Sequence, residues 1–208
     1  PHVRDGRPIP RPAAASPAIP DVPIYRLTVE RYEAMIAAGI LTDDDPVELL
    51  EGWLAEKMSK HPPHIVATGL LLDLLPRLLP SGWFLNVQDP IATVDSLPEP
   101  DAALIRGARR DYLARRPAAA DIALLVEVAD TSLEQDRGLK QRAYARADVP
   151  SYWIVNLVDR QIEVYTDPTG LAAEPTYAQR RDYGPADTIP VVLAGVEVGS
   201  LAVRVLLL

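Results

Sequence analysis

The stretch Asp121-Ile122-Ala123-Leu124-Leu125-Val126-Glu127-Val128 decides the fold, because it predicts a buried strand with one acid inside it. Directly after it, Thr131-Ser132-Leu133-Glu134 has the pattern of a capping box and predicts the start of a helix. Next, Ser151–Val158 and Gln161–Tyr165 predict a β-hairpin. A helix between strands, followed by a hairpin, predicts a mixed-sheet α/β or α+β fold.

Upstream of this stretch, the pattern predicts a short helix, two short strands, an apolar helix and two further strands. In that order they lie at Thr28–Gly39, Val47–Met58, Ile65–Leu79, Trp83–Val87 and Ile91–Val94. The sequence His61-Pro62-Pro63-His64 is expected to break the chain before the apolar helix. From about Thr176 onwards, strand-like pieces alternate with Gly and Pro.

The 208 residues are enough for about one domain. Residues 1–23 contain seven prolines and only two large apolar residues, Ile9 and Ile19. Such a segment cannot bury enough surface to offset the entropy cost of ordering it. We therefore expect a Pro-rich disordered leader at 1–23 and a single domain at 24–208.

Charge and composition exclude several classes of protein. With 29 acids against 21 bases the net charge is −8, so nucleic acid could bind only at a local basic patch. The absence of cysteine excludes disulfides and thiolate zinc sites, and it fits a reducing compartment, so a cytoplasmic location is expected. Because no apolar run approaches the ~20 residues that span a bilayer, no membrane partner is expected.

Three residues suggest a reactive site. Glu127 lies inside an apolar strand, where a carboxylate is costly unless an arginine or a metal pairs with it. Asp101 follows Pro98-Glu99-Pro100 and begins another strand, although it could also be an ordinary turn residue. Lys140 lies eight residues after Ser132, about 12 Å along a helix, which matches the depth of Glu127 if the helix doubles back along the sheet.

These residues together predict a divalent-metal hydrolytic site. Two carboxylates offer the hard oxygen ligands that Mg²⁺ or Mn²⁺ prefers, and such a metal lowers the pKa of a bound water. Lys140 could position that water or offset negative charge on a phosphate. Asp136, Lys140 and Tyr144 share one helix face, so an ordinary Asp136–Lys140 surface pair is the alternative.

A series of motifs in the chain resembles the Uma2 family, formerly a domain of unknown function and grouped with the PD-(D/E)XK restriction-endonuclease-like superfamily. The resemblance covers about residues 24–170. The motifs are Val47–Gly52, Met58-Ser59 with His64, Pro100-Asp101, Glu127–Ser132, Asp136 with Lys140, Tyr144-Ala145 and Val149–Val155.

The resemblance implies a restriction-endonuclease-like core, a mixed β-sheet flanked by helices, here with additional β-hairpins. It also implies that Asp101 and Glu127 are the metal-binding acids and that Glu51 completes the metal shell. The E-x-K lysine position of the wider superfamily holds Ala129, so Lys140 would act from the helix instead.

Further residues are candidates for substrate contacts. His64 matches the family's histidine after the Met-Ser segment, although a capping or core role is equally open. Gln88 ends an apolar strand, where a turn hydrogen bond is the alternative. The segment Arg106–Arg116 has five arginines and one aspartate and could bind phosphates or be a solvated loop. We assign substrate binding to His64, Gln88, Arg106, Arg109, Arg110 and Tyr144.

The sequence therefore predicts a metal-dependent endonuclease that hydrolyses DNA phosphodiester bonds with Mg²⁺ or Mn²⁺ as cofactor and a metal-bound water as nucleophile. The catalytic residues would be Glu51, Asp101, Glu127 and Lys140. The alternatives are a catalytically inactive nuclease fold that binds nucleic acid or a protein partner, and an enzyme acting on another phosphoester. A homodimer is plausible, because the strand-like tail offers sheet edges.

Overall fold

The computed structural model describes residues 23–42 and 44–207, so nearly all of the leader predicted at 1–23 lies outside it. The helices are α1 (Val29–Ala37), α2 (Pro62–Leu74), α3 (Leu133–Gln135) and α4 (Gln141–Arg146), with π-helical Asp136–Lys140 joining α3 to α4. The strands are β1 (Val47–Leu50), β2 (Trp53–Glu56), β3 (Trp83–Asn86), β4 (Ala102–Arg106), β5 (Ile122–Ala129), β6 (Ser151–Asn156), β7 (Gln161–Pro168), β8 (Tyr177–Tyr183), β9 (Thr188–Leu193) and β10 (Val196–Ala202).

The centre of the fold is a mixed sheet, which within the described residues has six strands in the order β3-β4-β5-β6-β7-β8. Strands β5 and β6 are parallel, and the other neighbouring pairs are antiparallel. The parallel pair requires a crossover, which α3 and α4 provide on one face of the sheet. The pairs β1–β2 and β9–β10 are hairpins outside the sheet. The predicted fold class, a mixed sheet with helices and additional hairpins, is confirmed.

Strand β5 divides the core because its side chains alternate between the two faces of the sheet. Leu124, Val126 and Val128 pack in the cluster that contains the α2 residues Ala67 and Leu71. Leu125 and Ala129 pack in the other cluster, with Tyr144 and Ala145 of α4. Glu127 follows the same alternation as Leu125 and Ala129, so it faces the α3–α4 crossover.

Two local predictions were wrong, and both concern proline or turn chemistry. His61-Pro62-Pro63-His64 does not break the chain, because α2 begins at Pro62. The first turn of a helix needs no backbone N–H donors, so proline is well tolerated there. Ile91–Val94 is not a strand. The chain turns back at once, since the N–H of Thr93 donates to the carbonyl of Ser96.

Within residues 23–42 and 44–207, the helices lack the length and apolar content needed to span a lipid bilayer.

Candidate active site

A polar pocket lies where β4 begins and β5 ends. Its cavity measures about 60 Å³, which is room for a few water molecules. All three lysines of the chain lie in its lining. The lining residues are Glu48, Lys57, Met58, Ser59, Lys60, His64, Glu99, Asp101, Glu127, Asp130, Ser132, Gln135 and Lys140.

Strand register brings Asp101 and Glu127 together. Ala102 pairs with Val126 in the antiparallel ladder between β4 and β5, so Asp101 lies opposite Glu127 one step further along. Opposed residues of an antiparallel pair point to the same face and lie close together. The two carboxylates therefore face the same pocket, and both are buried, with 5% and 3% of their surface exposed.

Asp101 is held as a charged carboxylate. One oxygen, Oδ2, lies 2.9 Å from His64 Nε2 and accepts the backbone N–H of Val128 at 2.9 Å. The other, Oδ1, accepts from Gln88 Nε2 at 3.2 Å. Burial tends to raise the pKa of Asp101, but the hydrogen bonds and positive charges, led by His64, outweigh it and hold the pKa below its usual value. His64 and Gln88 thus contact Asp101 directly.

Glu127 has the opposite electrostatic character. Its Oε1 lies 3.0 Å from Lys140 Nζ and accepts the Tyr144 hydroxyl at 2.6 Å. Burial raises the pKa of Glu127 above its usual value, and the attraction of Lys140 opposes that rise without cancelling it. The pKa of Asp101 is lowered, so the two carboxyls of one pocket have pKa values pushed apart, an arrangement often found in reactive sites.

Lys140 is shared among several acids. Its Nζ lies 3.5 Å from Glu48 Oε1 and 3.8 Å from Asp136 Oδ1, in addition to Glu127. Burial would lower the pKa of Lys140, but these carboxylates outweigh it and raise the pKa above its usual value. Within the described part of the chain, Asp136 Oδ1 is a buried oxygen without a hydrogen-bond partner. The cluster therefore has more negative charge than Lys140 can balance.

A widened helical turn carries Lys140. Lys140 ends the π-helical turn Asp136–Lys140. The Tyr152 hydroxyl donates to the carbonyl oxygen of Asp136 in this turn, at 3.1 Å. The guanidinium of Arg137, in the same turn, donates from Nε to Glu163 Oε2 at 3.1 Å. Segments of this kind occur often at functional sites. Contacts with β6 and β7 thus hold the turn that directs Lys140 towards Glu127.

Glu51 lies outside the pocket, although the family resemblance assigned it to the metal shell. It is in the turn between β1 and β2, where its carboxylate accepts from Arg142 Nη2 at 3.0 Å and Arg146 Nη2 at 3.1 Å. Burial raises its pKa, but the arginines outweigh burial and hold the pKa below its usual value. Glu48, on β1, is the acid of this hairpin that lines the pocket.

The arginines assigned to phosphate binding also lie outside the pocket lining. Arg106 is stacked over the Trp83 ring at 5.1 Å. Arg109 donates to Asn86 Oδ1 at 3.3 Å and lies over the Phe84 ring. Arg110 is exposed in the 3₁₀ turn Arg109–Tyr112. The basic segment is therefore separate from the Asp101–Glu127 pair.

The donor set suits a hard divalent cation. Asp101 and Glu127 offer carboxylate oxygens on one face, and the excess of buried negative charge favours a further cation. Among residues 23–42 and 44–207, no three His, Asp or Glu side chains converge as a ready-made metal shell. Mg²⁺ commonly binds through one or two carboxylates and keeps several waters, so two carboxylates are sufficient ligands for it. Asp101 and Glu127 could hold such an ion, with Glu48 beside them.

Sequence reasoning missed several residues of this pocket. The main ones are Glu48, Lys57, Lys60, Glu99 and Asp130. The scarcity of lysine was a usable signal, because Lys57 and Lys60 flank the Met58-Ser59 motif and precede His64. Glu48 has no such signal, because Glu48 and Glu51 are both acids of one short hairpin and only their three-dimensional placement distinguishes them.

Comparison with known proteins found a matching family model and similar solved structures. The family model described as "Uma2: Putative restriction endonuclease" matches residues 29–203. Among solved structures, this chain is similar to the one titled "a putative nuclease belonging to DUF820" from Anabaena variabilis ATCC 29413, with 12% sequence identity and a TM-score of 0.60. That match covers 87% of this chain and 97% of the other, and at this identity it shows the fold alone. A search of curated proteins found no match.

Proposed function

The chain belongs to the Uma2 family, and from this membership and the pocket geometry we propose that it is a divalent-metal-dependent endonuclease that hydrolyses DNA phosphodiester bonds. The observation that carries the proposal is the opposition of Asp101 and Glu127 across β4 and β5, with the Lys140 ammonium 3.0 Å from Glu127. This combination of two acids and a lysine fits phosphoester hydrolysis. The structural neighbour supports the fold on which the proposal rests.

In the proposed site, Asp101 and Glu127 hold Mg²⁺ or Mn²⁺. When bound, the ion lowers the pKa of a water and offsets negative charge on the phosphate. The net reaction forms a bond between the water oxygen and phosphorus, breaks one P–O ester bond and delivers a proton to the leaving oxygen.

The side chains around the two acids have separate roles. Lys140 supplies a fixed positive charge beside Glu127, and so it stabilises the negative charge that develops on the phosphate. Tyr144 donates to Glu127 Oε1, and His64 contacts Asp101 Oδ2, so each orients one carboxylate. Second-layer contacts of this kind fix metal ligands in productive rotamers. Glu48 replaces Glu51 in this proposal as the third acid of the pocket.

The proposal is tested by incubating the purified protein with plasmid, linear duplex and single-stranded DNA in Mg²⁺, Mn²⁺ or chelator. We expect cleavage with metal, none with chelator, and none by Asp101→Asn. Glu197→Gln, an exposed acid of β10, is the control and should cleave like the wild type. Cleavage that persists in Asp101→Asn would overturn the assignment of the site. Binding of DNA without cleavage in any metal would favour the inactive binding module instead.

A further inference from the structure

The lysines of the pocket differ in how they are engaged. Lys140 is buried against Glu127, Glu48 and Asp136. Lys57 is paired with Glu99 at 2.7 Å. Lys60 is the most exposed of the three, with 45% of its side-chain surface accessible, and its Nζ lies 3.8 Å from Asp101 Oδ1. At that distance Lys60 interacts electrostatically with Asp101 but does not donate a hydrogen bond to it.

The two oxygens of Asp101 have different surroundings. His64 and the Val128 N–H occupy Oδ2 inside the protein. Oδ1 has Gln88 at 3.2 Å and the long, partly exposed side chain of Lys60 nearby. A cation that binds Asp101 through Oδ1 would therefore meet the ammonium of Lys60, and like charges in one small pocket repel each other.

We propose that Lys60 neutralises Asp101 while the pocket holds no metal, and that it turns to a non-bridging phosphate oxygen of the nucleic acid when a divalent cation takes Asp101 Oδ1. This rests on the proposed function and names the residue that binds the substrate phosphate. A lysine on a flexible four-carbon stem can make such a movement, and an ammonium is a suitable phosphate partner. The phosphate contact thus moves from the predicted arginines at 106–110 to the mouth of the pocket.

The proposal requires two effects of opposite sign from one substitution. Lys60→Gln removes a cation that competes with the metal, so metal affinity should rise. The same substitution removes a positive charge from the substrate phosphate, so nucleic-acid affinity should fall. If Lys60 only maintained the shape of the pocket, its substitution would weaken both the metal affinity and the nucleic-acid affinity, or change neither.

The first measurement is titration of the chain with Mn²⁺ alone, in which the electron paramagnetic resonance signal of the free ion reports binding. Lys60→Gln should bind Mn²⁺ about 3-fold more tightly than the wild type, the size expected for loss of a partly exposed ion pair. Lys57→Gln is the matched control, because it removes the same charge from the same pocket but faces Glu99. It should change Mn²⁺ affinity less than Lys60→Gln does.

The second measurement is fluorescence anisotropy with a labelled DNA duplex in Ca²⁺, a hard oxygen-seeking cation, with the duplex checked to be intact afterwards. For Lys60→Gln, the slope of log affinity against log salt should become shallower by about 1, the loss of one phosphate contact. Lys60→Arg keeps the charge and should restore the wild-type slope. Arg110→Gln should leave the slope unchanged.

The outcomes separate this proposal from the function on which it rests. If Lys60→Gln leaves Mn²⁺ affinity and the salt slope at wild-type values, or weakens Mn²⁺ binding, the role of Lys60 is overturned while the nuclease assignment stands. If the wild-type chain binds no Mn²⁺, the metal-dependent function fails and this proposal fails with it. Thermal melting of each variant checks that the exposed substitution leaves the fold intact.

Discussion

The buried glutamates Glu127 and Glu163 lie on the same row of the sheet, with one residue between them. Ile154 on β6 pairs with Glu127 on one side and with Glu163 on the other. Each carboxylate accepts a tyrosine hydroxyl at 2.6 Å, from Tyr144 and Tyr165 respectively. Strand position, burial and one hydrogen bond are therefore matched between the two sites.

The charged partners of these glutamates are different. Glu163 is paired with Arg137 and Arg180 and also accepts from Asn156 Nδ2 at 2.7 Å. Burial tends to raise the pKa of Glu163, but these partners outweigh it and lower the pKa to about 2. Glu127 instead shares the ammonium of Lys140 with Glu48 and Asp136, and its pKa is raised.

A buried strand carboxylate is therefore not by itself a reactive group. At Glu163 two guanidinium groups, each also paired with an exposed aspartate, contact one buried carboxylate, which is the arrangement of a structural ion pair. At Glu127 the acids exceed the cation, so the pocket favours a further positive charge. A charge held for stability and a charge held for function should respond differently to substitution, pH and metal.

The largest contrast should be in activity. Glu127→Gln should reduce the DNA cleavage rate by about 10²- to 10³-fold, the usual cost of losing a charged group that acts in the transition state. Glu163→Gln should reduce it by less than about tenfold, because Glu163 reaches the site only through Arg137 and the π-helical turn. Initial rates at saturating Mg²⁺, measured on folded protein, check this. Equal losses in the two variants would remove the distinction.

The free energy of unfolding should change more in Glu163→Gln than in Glu127→Gln, the reverse of the order for activity. Glu163→Gln leaves Arg137, Arg180 and Asn156 with a weaker acceptor and should lower the free energy of unfolding by about 2 kcal/mol. Glu127→Gln loses the attraction of Lys140 but also the repulsion of the neighbouring acids, so near the ordinary pKa of 4.5 the change should stay within about 1 kcal/mol. Urea unfolding without metal measures both. A Glu127→Gln variant as unstable as Glu163→Gln would contradict this charge balance.

The pH dependence of stability should also differ in sign. Glu163 has a lowered pKa, so its stabilisation is present above its ordinary pKa of 4.5 and is lost as the pH falls towards about 2. Glu127 has a raised pKa, so without metal it increasingly destabilises the fold as the pH rises above its ordinary pKa of 4.5. Measured in chelator, the free energy of unfolding of Glu163→Gln should therefore no longer fall as steeply as that of the wild type when the pH is lowered below 4.5. Glu127→Gln should flatten the slope on the alkaline side of 4.5.

The smallest contrast concerns the matched tyrosines. Tyr144→Phe removes the hydroxyl that orients Glu127 and should reduce cleavage by about tenfold, the low end for a second-layer contact of a metal ligand. Tyr165→Phe removes the equivalent bond to Glu163 and should leave cleavage unchanged while lowering stability by about 1 kcal/mol. Cleavage rates and urea midpoints of the two variants give the answer, and a Tyr144→Phe enzyme of full activity would count against an oriented Glu127.

Much of the fold follows from local patterns in the sequence. The apolar run of β5, the helix start near Thr131 and the hairpin of β6 and β7 are all legible, because each depends on side-chain periodicity or turn residues close in the chain. The failures depended on context. Two prolines can end a helix or begin one, and Ile91–Val94 has an apolar pattern but lies in a chain that turns back at Thr93.

The site was only partly predictable for a similar reason. The strands that carry Asp101 and Glu127 follow from their apolar patterns, and the reach of Lys140 to Glu127 follows from helix length. The placement of Glu51 does not, because Arg142 and Arg146 are distant in sequence and draw its carboxylate to the other side of the hairpin. The structural pairing with arginine that the sequence left open for Glu127 is found instead at Glu163.

Isothermal titration calorimetry of Mn²⁺ binding to the wild-type chain, Glu127→Gln and Glu163→Gln, all at one pH, tests whether Glu127 is part of a metal site. The wild type and Glu163→Gln should bind the ion with the same affinity, because Glu163 lies outside the pocket lining and is paired with Arg137 and Arg180. Glu127→Gln should bind it at least about tenfold more weakly. Unchanged Mn²⁺ affinity in Glu127→Gln would contradict the assignment of this pocket as the metal site.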